Sequence, residues 1–375
     1  MKITIVQGAF FPVPPLMGGA VEKVWFRLGK EFVRCGHEVT HISRTHPALP
    51  RRELIDGVNH LRVPGYDTPR SLIHLKALDV LYSLRVRSIL PKADILVTNS
   101  FSLPILVRNS AFGKLYVHVA RYPKGQMKLY SHAGRLQTVS SPIHEAIVAE
   151  APALESITRT IPYPLPTTVP SASRDQAVRN RTILYAGRVH PEKGIALLVR
   201  AFAAMSSTLR ENWRLRIVGP IETKLGGGGA DYLNECLNAA NGLRDSIDVV
   251  GPIFDETQLS SEYGNASIFV YPSLAERGET FGVAPLEAMA NGCPPVVSNL
   301  GCFRDFISEG FNGFIFDHRD SNAVRALSQT LEQLVNAPDL RSKIGAAAFT
   351  SAARYCPVKV AGEYLDDFAE LLKSP

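Results

Sequence analysis

Short apolar, β-branched runs alternate along this chain with longer stretches whose apolar residues recur every three or four positions. Residues 3–6 read as a buried strand. Residues 21–35 read as a helix whose apolar stripe is Val21, Val24, Trp25, Leu28 and Phe32, stopped at Gly36. Residues 38–42, 93–99 and 114–118 give further strands. The pattern then restarts, with strands at 181–186, 213–219, 247–251, 267–272, 294–298 and 313–316, a helix at 195–207 and helical spacing over 321–373. Alternating strands and helices predict parallel, doubly wound α/β sheets, because a parallel return needs a crossover and a helix supplies it. Proline, serine and threonine crowd together at 162–173, so an interdomain linker is expected near 165–178.

Composition narrows the class. At 375 residues with 45% hydrophobic side chains the chain can bury two or three domain cores, and 20% charged residues are ordinary for a soluble protein. The first residues read as a strand rather than a secretory signal, and no run approaches the eighteen apolar residues of a membrane span. Five scattered cysteines (Cys35, Cys236, Cys293, Cys302, Cys356) form no Cys-x-x-Cys pair, which argues for reduced thiols in a cytoplasmic setting and against structural zinc. The net charge of +6 is uneven: residues 1–170 hold 21 Lys and Arg against 11 Asp and Glu, and residues 171–375 hold 20 against 24. A basic first half favours an acidic partner such as a phospholipid surface or a lipid-linked phosphate. Nucleic acid is the weakest of these partners, since no aromatic-interleaved basic motif occurs. Lys76, Arg85, Arg87 and Lys92 share a helix-like stretch that can rest on an anionic surface, although its modest amphipathicity favours a solvated face.

The stretch with the densest chemistry runs from Ser273 to Gly292. It leaves a strand, crosses a polar turn holding Glu279 and enters a short helix, with Pro285 in the first turn and Gly292 at the stop. The unpaired amides near Gly282, Val283 and Ala284 would form an anion site. Glu279 and Glu287 flank it. A second phosphate-sized loop, from Gly187 to Gly194, carries Arg188 and Lys193, a planar fork and a point charge suited to a diphosphate. Gly18 and Gly19 close a loop ahead of the first helix, followed by Glu22, and His118 stands at a strand's carboxyl end. Arg121, Lys124, Lys128 and Arg135, interspersed with Gly125 and Gly134, read as a basic, flexible acceptor or lid segment. The tetraglycine 226–229 reads as a mobile insertion, a lid, a hinge or a plain spacer, with no chemistry assigned to it.

On Glu279-x7-Glu287 around Phe281-Gly282, and on Gly187-Arg188-x4-Lys193-Gly194, the chain resembles the retaining nucleotide-sugar glycosyltransferases of family four. The resemblance implies the GT-B fold: two Rossmann-like doubly wound domains facing a cleft, with a C-terminal helix crossing back to the first. The expected divisions are an acceptor-side domain at 1–168, a nucleotide-sugar domain at 169–355 and the returning helix at 356–375. It further implies a catalytic set of His118, Arg188, Lys193 and Glu279, with both cations on the phosphates, Glu279 on the sugar hydroxyls and His118 near the donor sugar. Gly18, Gly19, Gly251, Ile253, Thr280, Phe281, Gly282, Val283 and Glu287 would bind the donor, Glu287 through the ribose and Gly251 to Ile253 near the base. Tyr163, Pro164 and Leu165 depart from the family's usual Ile-Pro-Asn-Gly-Val-Asp, and Asp305 stands where a glutamate is common.

The implied reaction moves a hexose from a UDP- or GDP-linked donor to a hydroxyl of a glycan or lipid-linked glycan, with retained configuration. No cofactor and no metal are expected, since the chain has no Asp-x-Asp. A cytoplasmic enzyme of cell-surface polysaccharide synthesis follows, with peripheral contact at the inner membrane face as a hypothesis. The rivals are a paired-carboxylate hydrolase, a nucleotide-sugar epimerase and a catalytically silent sugar-binding protein. A dinucleotide oxidoreductase is disfavoured by the missing Gly-x-Gly-x-x-Gly.

Overall fold

The structure, a computed structural model, describes residues 1–69, 71–108, 112–165, 179–240 and 242–373. It divides into two units, one of Met1–Pro166 with Pro357–Pro375 and the other of Thr167–Cys356. The expected linker lies, apart from Leu165, outside the described residues.

The first unit is built on β1 (Lys2–Val6), β2 (Glu38–Arg44), β3 (Arg52–Ile55), β4 (Val58–Val63), β5 (Ile95–Thr98), β6 (Lys114–Val119), β7 (Arg135–Thr138) and β8 (Thr158–Thr160). Their order in the sheet is β3-β4-β2-β1-β5-β6-β7-β8, parallel throughout except for the β3–β4 pair. That antiparallel pair was not anticipated, yet its turn is Asp56-Gly57, the dipeptide best suited to a two-residue hairpin. Helix α1 (Ala20–Arg34) buries Val24, Trp25, Leu28 and Phe32. It packs against the last helix, Pro357–Lys373, through Trp25 on Tyr364 at 5.1 Å and Phe32 on Phe368 at 5.7 Å. A buried polar knot completes that contact: Asp367 accepts from the Tyr116 hydroxyl at 2.8 Å and pairs with Arg135 at 2.9 Å. Arg135 therefore belongs to no lid. Gly125 and Met127, in the segment read as flexible, both donate their amides to the Glu150 carboxylate, at 2.8 and 2.7 Å.

In the second unit β9 (Asn180–Ala186), β10 (Arg214–Val218), β11 (Ile247–Gly251), β12 (Ala266–Tyr271), β13 (Pro295–Ser298) and β14 (Phe314–Phe316) form a six-stranded sheet in the order β11-β10-β9-β12-β13-β14, all parallel. All six residues of β12 are buried, as befits a strand covered on both faces, and the polar Ser267 among them donates to the Asn180 carbonyl. The strand sequence climbs one way from β9 to β11 and the other way from β12 to β14. The two connections leaving β9 and β12 therefore part on opposite faces and open a crevice at the carboxyl ends of these strands. The first unit has the corresponding point between β1 and β5.

Three histidines of the first unit are sealed in as neutral rings. His41 stacks on His60 at 5.4 Å, and no ring nitrogen of either has a hydrogen-bond partner among the described residues. Burial lowers the His41 pKa far below 6.5, helped by His60 and Arg62. Burial, Arg62 and Lys30 bring His60 to about 4, and burial brings His118 to about 4. The unfolded chain takes up these protons near pH 6.5, so the stabilisation is intact above that pH and is lost as pH falls from 6.5 toward 4. Each ring shifted by that much contributes on the order of 3 kcal/mol. Thermal unfolding followed across this window should show a steep fall in midpoint, which His41→Leu/His60→Leu flattens in part; an equal slope in the variant would refute the assignment.

Candidate active site

The loop leaving β9 and the loop leaving β12 meet at the crevice of the second unit, and each supplies one half of an ion pair. Lys193 Nζ donates to Glu279 Oε2 at 2.6 Å, with side chains only 8% and 11% exposed. The ammonium also lies over the Tyr271 ring, 5.5 Å from its centroid. Burial and the neighbouring Glu279 carboxylate raise the Tyr271 phenol, which stays protonated. Tyr271 stacks on Tyr185 at 5.7 Å, and the Tyr185 hydroxyl donates to the Arg188 carbonyl at 2.8 Å. Backbone stitches hold the two loops together. Leu274 N donates to Glu192 O at 2.8 Å, and Gly194, at φ +71°, rests against the Pro272 carbonyl where a Cβ would overlap it.

Arg188 is held from two sides. Its guanidinium donates to Glu192 Oε1 at 2.5 Å and to the Gly226 carbonyl at 3.0 Å. The latter contact gives the tetraglycine a place in the site and corrects the reading of it as a mobile insertion. All four glycine amides are bonded: Gly226 to Thr223, Gly227 to Glu222, Gly228 to Val189 and Gly229 to Ile221. Side chains are excluded by proximity, since a Cβ on Gly227 would meet Ile221 backbone and one on Gly228 would meet Tyr232 and Pro191. The run is a close-packed bracket against the Arg188 loop.

The helix Val283–Ala290 starts where the sequence placed it, with Gly282 as N-cap at φ +96° and no side chain capping it. A Cβ at Gly282 would strike the Phe303 ring, so the chain passes close to the core there. Phe281 packs its own ring on Phe306 and Tyr355 and is 2% exposed. It can contribute only backbone to a ligand. Thr280 and Val283 are half-buried beside it. Glu287 accepts a hydrogen bond from the Tyr263 hydroxyl at 2.9 Å. The helix stops as expected at Gly292, whose amide donates to the Met289 carbonyl. Gly251 ends β11, two strands from β9, and its carbonyl accepts from Gly219 N at 2.8 Å; Ile253 follows, half-buried. Glu276 is engaged elsewhere, with His318 at 2.9 Å and Arg319 at 2.7 Å.

The remaining expected residues lie in the first unit. Gly19 caps α1, and the Glu22 carboxylate folds back against it. Burial raises the Glu22 pKa against the opposing pull of its backbone amide and of Arg121. His118 is buried, with its ring edge-on to Trp25 at 5.4 Å. Its tautomer follows from its neighbours. Gln137 Nε2 donates to the carbonyls of Thr138 and Ile161, so its oxygen faces His118 Nδ1 at 2.5 Å and accepts the ring proton. Nε2 is then an acceptor, and the Tyr163 hydroxyl donates to it at 3.1 Å. Both nitrogens are occupied within the unit. Tyr163, which departs from the family pattern, thus completes the hydrogen bonding of the histidine.

Sequence reasoning passed over Tyr185, Tyr271, Tyr263 and Glu192. The first two had a signal: each is a polar-tipped aromatic at the carboxyl end of an apolar strand, next to a loop already singled out.

Residues 171–350 match the family described as glycosyl transferases group 1. A lipopolysaccharide 1,2-N-acetylglucosaminetransferase of Salmonella typhimurium is 34% identical over 132 residues, 35% of this chain and 34% of that protein. The chain spans about a third to a half of the length of the curated relatives it matches. Among solved structures, a sucrose-phosphate synthase from Thermosynechococcus elongatus superposes with a TM-score of 0.77 at 18% identity, over 100% of both chains. A protein of Anabaena solved in complex with UDP gives 0.70 at 15% identity, over 99% of this chain and 100% of that one. These likenesses establish the GT-B fold.

Gly194→Ala tests the stitching of the two loops. The left-handed backbone and the Pro272 carbonyl both oppose a side chain, so the variant should lose at least about 2 kcal/mol of stability. Chemical denaturation checks this, and an unchanged midpoint would show that the loops are not held as described.

Proposed function

We propose that the protein, whose residues 171–350 match the family described as glycosyl transferases group 1, transfers a hexose from a nucleotide-diphosphate donor to an acceptor hydroxyl with retention of configuration. The observation that carries this reading is the convergence of Arg188, Lys193, Glu279 and an uncapped helix N-terminus on one switch point. In the reaction, negative charge builds on the departing diphosphate while the sugar becomes oxocarbenium-like. Arg188, Lys193 and the amides of Gly282 to Ala284 answer the first need with donors already in place. Lys193 enters with its charge compensated by Glu279, so an arriving phosphate shares an ammonium already stripped of most of its water.

Glu279 then orients the sugar hydroxyls, and Glu287, steadied by Tyr263, takes the ribose. Gly251 and Ile253 are assigned to the base, and Thr280, Phe281 and Val283 to the donor through their backbone. In the first unit the Gly18–Gly19 loop and His118 are the assigned contacts. Because both nitrogens of His118 are occupied and burial lowers its pKa to about 4, the ring acts as a fixed neutral wall and relays no proton. UDP is favoured as the nucleotide because a neighbour of this fold was solved with it. A glycan or lipid-linked glycan acceptor is favoured by the lipopolysaccharide enzyme among the relatives.

Incubation with UDP-, GDP- and ADP-sugars tests the proposal. Slow donor hydrolysis in the absence of acceptor, persisting with EDTA, is the expected result; isomerisation would favour an epimerase, and binding without turnover a silent protein. Arg188→Ala and Lys193→Ala should each lower turnover at saturating donor by at least about a hundredfold. Mild effects from both would remove these two cations from the mechanism.

A further inference from the structure

Each cation of the second unit's crevice already has an anion beside it. Lys193 donates to Glu279 and Arg188 to Glu192, so both pairs are neutral before a ligand arrives. A diphosphate adds negative charge where the positive charges are already matched, and a carboxylate left at contact distance from a phosphate would repel it. For the phosphate to reach the guanidinium or the ammonium, a carboxylate has to give way.

The two pairs are not built alike. The side chains of Lys193 and Glu279 are 8% and 11% exposed, and in the proposed reaction Glu279 has the sugar hydroxyls to hold once the donor is bound. Those of Arg188 and Glu192 are 43% and 36% exposed and stand four residues apart on one loop, a kind of pair that contributes little to stability. Nothing in the proposed reaction uses the Glu192 carboxylate. The loop does not need it either: the Glu192 carbonyl accepts from Leu274 N at 2.8 Å and from Ser273 Oγ at 3.4 Å, and its amide donates to His190 Nδ1 at 3.4 Å. The side chain can therefore swing out while the backbone stays. Arg188 keeps its bond to the Gly226 carbonyl at 3.0 Å, so the guanidinium remains aimed after the carboxylate has left. A strut would need the opposite arrangement, a buried carboxylate as the sole anchor of the arginine.

We infer that the Glu192 carboxylate stands in for a phosphate: it holds the Arg188 guanidinium before the donor arrives, is displaced when the nucleotide diphosphate binds and returns when the product leaves. Its charge therefore lowers the affinity for the diphosphate. The inference deepens the transferase reading of the crevice and rests on it. Isothermal titration of UDP, GDP and ADP into the full chain tests it, with Glu192→Gln and, as a control, Glu276→Gln. The control removes an equal charge from the turn carrying Glu279, where the carboxylate is taken up by His318 and Arg319. Thermal melts check that both variants fold. Glu192→Gln should bind the nucleotide that the wild type binds at least about fivefold more tightly, since a neutral amide competes weakly for a guanidinium. Glu276→Gln should shift that affinity by less than about twofold, because solvent screens a charge that is not displaced. Equal or weaker binding by Glu192→Gln overturns the inference and leaves the diphosphate site standing. Equal tightening by both variants also overturns it, since that is a general field effect. If none of the three nucleotides binds any of the proteins, the transferase reading fails, and the inference with it.

Discussion

An ammonium and a carboxylate drawn from two separate loops, and nearly closed off from water, hold the functional half of this protein together. Bringing Lys193 and Glu279 into the crevice strips both of hydration, and their attraction only roughly offsets that cost. What the pair secures is geometry, because removing either partner leaves the other charged and buried, a penalty of about 3–5 kcal/mol. The loop after β9 therefore cannot drift from the loop after β12. Arg188, the uncapped amides and Glu287 are referenced to the same frame, and the two stacked tyrosines make its floor. The switch point of the sheet explains why the frame forms here: only between β9 and β12 do the outgoing connections diverge and leave the strand ends uncovered.

Much of this was legible in the sequence because local chemistry writes it locally. Apolar runs located most strands to within one or two residues, β3 and β4 being missed, and Gly-Arg-x4-Lys-Gly could be read as a phosphate loop because its parts lie within eight residues. What was missed depends on partners distant along the chain. Arg135 looked like one cation among four in a glycine-dotted stretch, and nothing near it announces that Asp367 neutralises it inside the core. The tetraglycine invited a reading as a mobile insertion, since composition reports the conformational freedom of glycine and not the neighbours that forbid a side chain.

The two units divide their polar groups differently. The second gathers charge at one crevice and pairs it there, Lys193 and Glu279 nearly shut off from water. The first hides neutral histidines in its sheet, His41 stacked on His60 and His118 bonded at both ring nitrogens. His118 stands at the boundary of these roles: its position at the end of β6 suits a ligand, while Gln137 and Tyr163 fix it as part of the wall.

The last helix has a consequence for how the chain is made. Tyr364, Phe368 and Asp367 belong to the core of a unit whose other elements are translated first, and the whole of Thr167–Cys356 is synthesised in between. On the ribosome the second-made unit can close before the first-made one is finished, and the earlier unit must wait, with Trp25, Phe32 and Tyr116 partly uncovered, until the helix Pro357–Lys373 clears the exit tunnel. The usual order of maturation is thereby inverted between the two units, and the one made earlier is the more vulnerable.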